Sequence, residues 1–495
     1  MTGRTSMWSR VVRAADRLSD SLSKPDDLDT AIAVTMNLAV EPDDPGLTRT
    51  GSTVSAVVAA NLVALGLPGR PDVTVTADRG SVEPYLLRIN GRRVRCTATD
   101  LPEPSDTAGY AASVCAAAIN RRPSVLLDAA YAGRLATELG GGSLLAEALP
   151  EVLDQGVSLA DRAAVGEVIE ASADASHPAE LAEALIARLR SPTVDLRFTR
   201  ETLRHVTTAQ PAQESFSSLR TTFYSDQGVL GPGFQFVVDP AVPDHHFAIR
   251  INALTLPSRP LRTDRPLDEV HQELHAVLRQ HASRLVSLTG LAEILDPLRW
   301  ALPDTIRAVE KRYSSRWLAA VTRALVAEGI SVRHPATLLD WLLDLDPTPA
   351  PTGAVRFSEG PIAAAAVRSP ARLPAPRDAV ALLRRRWLEE RCRMAPHENT
   401  LAVHQLPPET WPAEASEELA DRIADEVRPA VTLHPHAPLV APSLSLRSWL
   451  LGELRPEFPD LRVLAVQEIP PNLQLVPVGP GTPRTTGPRR VAGVW

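Results

Sequence analysis

The sequence predicts an α+β fold: a helix–strand–strand–helix unit duplicated in tandem, each copy followed by a helical subdomain, with a small α/β subdomain closing the chain. Two observations predict it. Gly66–Asn90, GLPGRPDVTVTADRGSVEPYLLRIN, aligns without a gap to Gly228–Asn252, GVLGPGFQFVVDPAVPDHHFAIRIN, at a constant offset of 162 positions. Gly66 falls on Gly228, Gly69 on Gly231, Val75 on Val237, Tyr85 on Phe247, and Arg88-Ile89-Asn90 on Arg250-Ile251-Asn252. A Gly-bounded turn followed by two alternating apolar runs reads as a helix exit into a hairpin-like pair of strands. The second observation is that Leu144–Ala171 aligns with Trp317–Asp344 at an offset of 173, Gly156 on Gly329, Leu145 on Leu318 and Ser158 on Ser331. Two matches in the same order at nearly equal offsets are what a tandem duplication leaves.

The elements follow from local patterning. Residues 7–22 place Trp8, Val11, Val12, Ala15, Leu18 and Leu22 on one side of a helix. Its arginines suit a membrane surface, but Asp16 and Asp20 dilute the positive face and favour docking on the protein itself. In the first unit a helix over 52–66 leads to strands near 72–77 and 84–89, then to a helical stretch from Asp106; helices on either side of Gly156 come next, and the extended link Val157-Ser158-Leu159 lies just after that glycine. In the second unit a helix through Phe216, Leu219, Phe223 and Tyr224 leads to the repeated strands, then to a helix over 267–285 and a helical block over 287–345. Residues 346–378, rich in Pro and small residues, read as a long surface loop. Beyond it come a helix over 379–393, a strand at 400–405, a helix at 416–427, a strand near 430–434, a helix at 444–454 and strands at 462–467 and 473–477. That alternation makes a small α/β closing subdomain. The last residues, 478–495, are rich in Pro, Gly and Arg and read as a disordered tail ending in Val494-Trp495.

Composition narrows the function classes. The net charge of −7, with Lys24 and Lys311 the only lysines among 52 basic residues, gives no basic face for a polyanion and points away from nucleic acid; the Arg excess reads as coding bias. Cys96, Cys115 and Cys392 are an odd count without CxxC spacing, which argues against a disulfide framework or a zinc knuckle and suits a reducing cytoplasm. No apolar run approaches the length of a bilayer span, and the expected location is cytoplasmic.

The residues that carry chemistry are sparse. No Gly-rich loop with a following Lys and Ser or Thr cradles a phosphate, and Gly140-Gly141-Gly142 reads as a turn, so no cofactor is expected. His271, Glu273 and His275 form HxExH on a helix: the two histidines share a face and are the candidates for a metal, while Glu273 projects elsewhere and the zinc-protease order HExxH is missing. A solvated helix face is the simpler reading. Arg384-Arg385-Arg386 point about 100° apart on a helix and cannot grip one ligand, so an i,i+4 salt-bridged surface with Glu389 and Glu390 is expected. Arg88 and Arg250 sit between core-facing neighbours on a strand and are sent to its opposite face.

Three stretches of the second half resemble the cytoplasmic region of the FHIPEP family, the large export-gate subunit of flagellar and virulence type III secretion systems. They are Arg279–Leu285 leading into Leu288, Leu291, Ile294 and Leu295; Leu325–Leu343, LVAEGISVRHPATLLDWLL; and Phe458–Leu464 with Gln467-Glu468-Ile469 and Leu473-Gln474-Leu475. His334 stands where the family has Asp, and Asp161 restores it in the first unit. The resemblance covers about 212–478, and about 50–205 through the repeat. The family's membrane half is missing, as is most of the subdomain expected between the repeated strands and helix 267–285, which forms one wall of its docking cleft.

The resemblance implies a truncated first unit over 27–205, after an N-terminal amphipathic helix at 1–26. It implies a ferredoxin-like α/β subdomain over 206–286, a helical subdomain over 287–345, the Pro/Ala-rich loop 346–378, a C-terminal α/β subdomain over 379–478 and the tail 479–495. Family members form rings through the helical subdomain, so the expected function is a non-enzymatic cytoplasmic scaffold or adaptor. It self-associates through 287–345 and 144–171 and binds protein partners. Arg88, Arg250, Arg333, His334, Trp341 and Trp495 are the candidate interaction residues, and residues 7–22 a candidate peripheral membrane contact. The alternatives are a soluble export component docking to a separate membrane partner, and a metal- or ligand-dependent enzyme or sensor built on His271 and His275.

Overall fold

The computed structural model describes residues 30–478, apart from 45, 80–83, 97–105, 174, 176, 190–191, 210–211, 263–264, 346–375, 395–399, 407–410, 412–415, 436, 456, 459 and 470–472. The expected helix at 7–22, nearly all of loop 346–378 and the tail with Trp495 lie outside the described residues. Helices and small sheets mix throughout, as an α+β chain requires.

The first sheet is built around a strand the alternation signals but the repeat does not reach. In β1, Ala31–Leu38, the side chains of Ile32, Val34, Met36 and Leu38 are buried and the intervening ones face outward. Helix α1, Leu47–Leu65, carries the chain to β2, Arg70–Ala77, which pairs parallel with β1. β3, Tyr85–Ile89, pairs antiparallel with the other side of β1, and β4, Arg92–Val94, comes after it. The order is therefore β2-β1-β3-β4. The expected hairpin is corrected: β2 and β3 do not pair, because β1 lies between them and holds them two strand spacings, about 10 Å, apart. The first unit's remaining helices are α2 (Thr107–Arg121), α3 (Ala129–Glu138), α4 (Gly142–Asp154), α5 (Arg162–Ala171) and α6 (Pro178–Leu189).

The second unit repeats this topology. β5, Val194–Phe198, lies between β6, Phe234–Val238, in parallel and β7, His246–Ile251, in antiparallel, with β8, Leu254–Thr255, and β9, Arg259–Pro260, on the far side of β7. β5 lies N-terminal to the boundary expected between 205 and 206, so the second sheet begins earlier than that boundary allows. Two helices, α7 (Arg200–Ala209) and α8 (Ala212–Gln227), fill the crossover that α1 fills alone in the first unit.

The repeated residues earn their identity from the backbone. Gly66 and Gly228 end the crossover helices at φ 66° and 72°. A Cβ on Gly66 would lie 2.2 Å from the Ala160 nitrogen, and one on Gly228 2.2 Å from the Arg333 nitrogen. In each unit the extended link after the helical glycine docks here, the Leu159 N–H donating to the Leu65 carbonyl at 2.8 Å and the Val332 N–H to the Gln227 carbonyl at 3.0 Å. Asn90 and Asn252 take left-handed φ of 50° and 56°, which asparagine tolerates. Their amides staple each sheet to the helical segments beside it: Asn90 Nδ2 donates to Val125 O and Leu126 O, Asn252 Nδ2 to Gln155 O and Arg284 O.

After the second sheet come α9 (Pro266–Gln280), α10 (Leu288–Ala301), α11 (Pro303–Arg312), α12 (Ser315–Ala327), α13 (Pro335–Leu343) and α14 (Pro376–Met394). The closing module holds β10 (Thr400–Val403), α15 (Glu417–Leu433), β11 (Leu439–Ala441), α16 (Leu444–Leu454), β12 (Val463–Ala465) and β13 (Gln474–Pro477), with β10 parallel to β13 and β11 parallel to β12. The strand expected at 430–434 is corrected. Residues up to Leu433 continue α15, and the strand is the fully buried run Leu439–Ala441 beyond the helix-terminating His434-Pro435.

Candidate interaction site

Buried ion pairs join the modules. Arg323 of α12 pairs with Glu183 of α6, each side chain 5% exposed, and donates to the Val286 carbonyl. Loss of solvent pushes the Arg323 guanidinium down to about 10, which leaves it charged at neutral pH. Arg384 of α14 pairs with Glu328 and, at 2.7 Å, with Glu468; Arg447 of α16 reaches Glu328 at 2.6 Å and Glu468 at 3.5 Å. Two guanidiniums and two carboxylates thus alternate between the second helical block and the closing module. The expectation of a solvated Arg384–Arg386 face is corrected for Arg384, which is 4% exposed; Arg385 does form the i,i+4 pair with Glu389, at 3.1 Å. The closing module returns to the first unit through Arg93 and Arg95 on Asp421, Arg95 on Glu457 at 3.2 Å, and Arg122 on Glu453 at 2.8 Å.

The sequence-selected residues scatter over this frame. Arg88 donates to the Gly91 carbonyl at 3.0 Å and Arg250 to the Asn252 carbonyl at 2.9 Å, each bracing the turn beyond its own strand. Burial, then the neighbouring Arg197, lowers the Arg250 pKa. Arg333 and His334 are exposed and adjacent, with Arg333 Nε donating to His334 Nε2 at 3.2 Å, on the link that docks at Gly228. Trp341 is half-buried against the second core. The two rings of the HxExH helix diverge: His271 packs edge-on against Phe216, at 4.4 Å between centroids, while His275 Nε2 lies 3.6 Å from Asp226 and Glu273 pairs with Arg259. Among the described residues no group of three or more His, Cys, Asp or Glu is placed to hold a metal ion.

Two surface features have no counterpart among the residues singled out from sequence. Trp300, near the end of α10, is 91% exposed, and of the helix it belongs to only Leu295 is buried. Apolar periodicity reports which residues can share a face and not whether that face is covered, so it gives no signal for Trp300. The other is a cleft of about 380 Å³ where α6, α8 and α10 meet the loop 230–233. Arg323, Glu183, Arg220 and Ser287–Gly290, the start of α10, line it. Ser287 Oγ caps that helix by accepting from the Gly290 N–H at 3.0 Å. β6 starts directly after Gly233, a residue of this lining. It pairs on one side with β5, and among the described residues no strand pairs with its other side. Phe236 and Val238 on it are 37% and 47% exposed.

The second helical block and the closing module are where sequence comparison gives an answer. Residues 261–474 match the FHIPEP family. The matching segment takes in α9 to α16, the Arg–Glu quartet and Trp300, while the first unit and β6 lie outside it. Among curated proteins, none matches the sequence. Solved structures similar to part of the chain include the CdsV protein of Chlamydia pneumoniae, 14% identical, covering 58% of this chain and 96% of that one with a TM-score of 0.42. The MxiA protein of Shigella flexneri is 15% identical over 57% of this chain and 96% of its own, with a TM-score of 0.42. Nonameric EPEC SctV-C is 10% identical over 58% and 97%, with a TM-score of 0.42. No helix among the described residues is long and apolar enough to cross a membrane.

Proposed function

We propose that this chain is a protein-assembly component of the type III export-gate class, acting as a scaffold or adaptor whose copies associate through the helical block 287–345. The observation that carries the reading is Trp300: an indole held in water at the end of a helix that buries only one of its own side chains, inside the segment that matches FHIPEP. An exposed Trp brings large contact area at small entropic cost and is enriched among residues that dominate binding energy. The helices at 144–171 contribute less, because Leu145, Leu149, Val152, Leu153 and Val165 are already turned into the first core. Size-exclusion chromatography with light scattering tests the reading. Association that strengthens with concentration and is weakened by about tenfold or more in Trp300→Ala supports it. A monomer at every micromolar concentration removes it.

A further inference from the structure

We propose that the open side of β6, together with the cleft at its start, is a docking site for the extended C-terminal peptide of a partner protein. The peptide runs antiparallel to β6, with its terminal carboxylate seated between loop 230–233 and the first turn of α10. The inference rests on the reading of the chain as a protein-assembly component and adds to it a second surface and a class of partner.

The duplication supplies the first argument. β2 and β6 occupy the same edge position in their sheets, and edges that must stay unpaired are blunted by charge and proline. β2 is so protected: Arg70, Pro71 and Asp72 open it, and Thr74 and Thr76 are its other exposed residues. β6, Phe-Gln-Phe-Val-Val, carries no charge and no proline and leaves Phe236 and Val238 partly exposed. One copy keeps a defended edge; the other presents backbone donors and acceptors beside aromatic and β-branched side chains, the combination that binds an added strand.

Charge fixes the direction. The cleft lies at the N-terminal end of β6, so a strand pairing antiparallel arrives there with its C-terminus, and one pairing parallel arrives with its N-terminus. Among the described residues the N–H groups of Gly231, Gly233, Leu288 and Thr289 donate no hydrogen bond. Leu288 and Thr289 also sit at the positive end of the α10 dipole. Arg220 is exposed at the side of the cleft. Arg323, also of the lining, is 4% exposed and keeps an Nε without a partner among the described residues. Glu183 is neutralised by Arg323, and Glu293 is the remaining carboxylate of the lining, exposed to solvent. With Arg323 and Glu183 cancelling each other, the N–H donors and the Arg220 guanidinium stand against Glu293 alone, and they accept a carboxylate and reject an ammonium.

The experiment uses the full chain. Random peptides of about ten residues, displayed with free C-termini, are selected against it, and the enriched sequence is synthesised as acid and as amide for fluorescence anisotropy. The expected result is binding of the acid, weakened about tenfold or more by amidation and by Arg220→Glu, and lost in Val238→Lys with the thermal melt unchanged. Phe236→Lys provides a second edge variant. No enrichment, equal binding of acid and amide, or full binding by both lysine variants overturns the proposal. Light scattering keeps the two surfaces separate: Val238→Lys leaves self-association through Trp300 intact, and Trp300→Ala leaves peptide affinity intact.

Discussion

Arg384, Arg385 and Arg386 are consecutive and chemically identical, yet their environments differ. Arg384 is closed in by Glu328, Glu468 and Arg447, and loss of solvent, then repulsion from Arg447, pushes its guanidinium down to about 9. The side chain of Arg385 is 52% exposed. Replacing Arg384 by Met leaves the buried Glu468 and the half-buried Glu328 sharing one guanidinium, and urea unfolding is expected to show a loss of about 3 kcal/mol. Arg385→Met is expected to change stability by less than about 0.5 kcal/mol. Gly228 is the other position where a single atom decides. Its positive φ, and the 2.2 Å that would separate an added Cβ from Arg333 N, leave no room for a side chain. Gly228→Ala is therefore expected to cost about 2 kcal/mol or more and to release the Val332–Gln227 hydrogen bond, read as faster amide exchange at Val332.

Strand order makes a measurable distinction between elements. β1 and β5 lie in the middle of their sheets and β2 and β6 at the edges. Hydrogen exchange is therefore expected to be slowest in β1 and β5, with β2 and β6 less protected by about tenfold or more. A hairpin of the two repeated strands would reverse that order, making 70–77 and 85–89 each other's partners. Both central strands are present in the sequence as alternation, Ile32-Val34-Met36-Leu38 and Val194-Leu196-Phe198, but five to eight residues of alternation do not say which strands are neighbours.

Across the molecule, α2, α9 and α16 bring their C-terminal ends together where the three modules meet. The carbonyls freed there are met by basic groups: Arg284 donates to Asn120 O at 2.6 Å and to Asp154 O at 2.8 Å. His281, 5% exposed, lies beside these arginines, and burial followed by Arg284, Arg121 and Arg455 holds its pKa well below the ordinary histidine value. Half-buried Asp154 faces the same cluster, its own pKa raised by loss of solvent. The native state thus leaves His281 neutral where the unfolded chain protonates it. The contribution of His281 to stability is complete above about pH 6.5 and falls as pH drops below that value. Chemical denaturation between pH 7.5 and 5 is expected to show this slope, and His281→Gln to flatten it.

The duplication, the positions of most helices and the identity of the residues that make each turn are all legible in the order of amino acids. These are local demands: a left-handed turn selects Gly or Asn wherever it occurs, and the demand returns with every copy of the unit. That a third strand parts the repeated pair, and that Arg384 is buried while Arg385 is not, emerged only from the folded arrangement. So did the exposure of Phe236, Val238 and Trp300. Those outcomes depend on what packs against a residue from far along the chain, and hydrophobic periodicity carries no record of the partner.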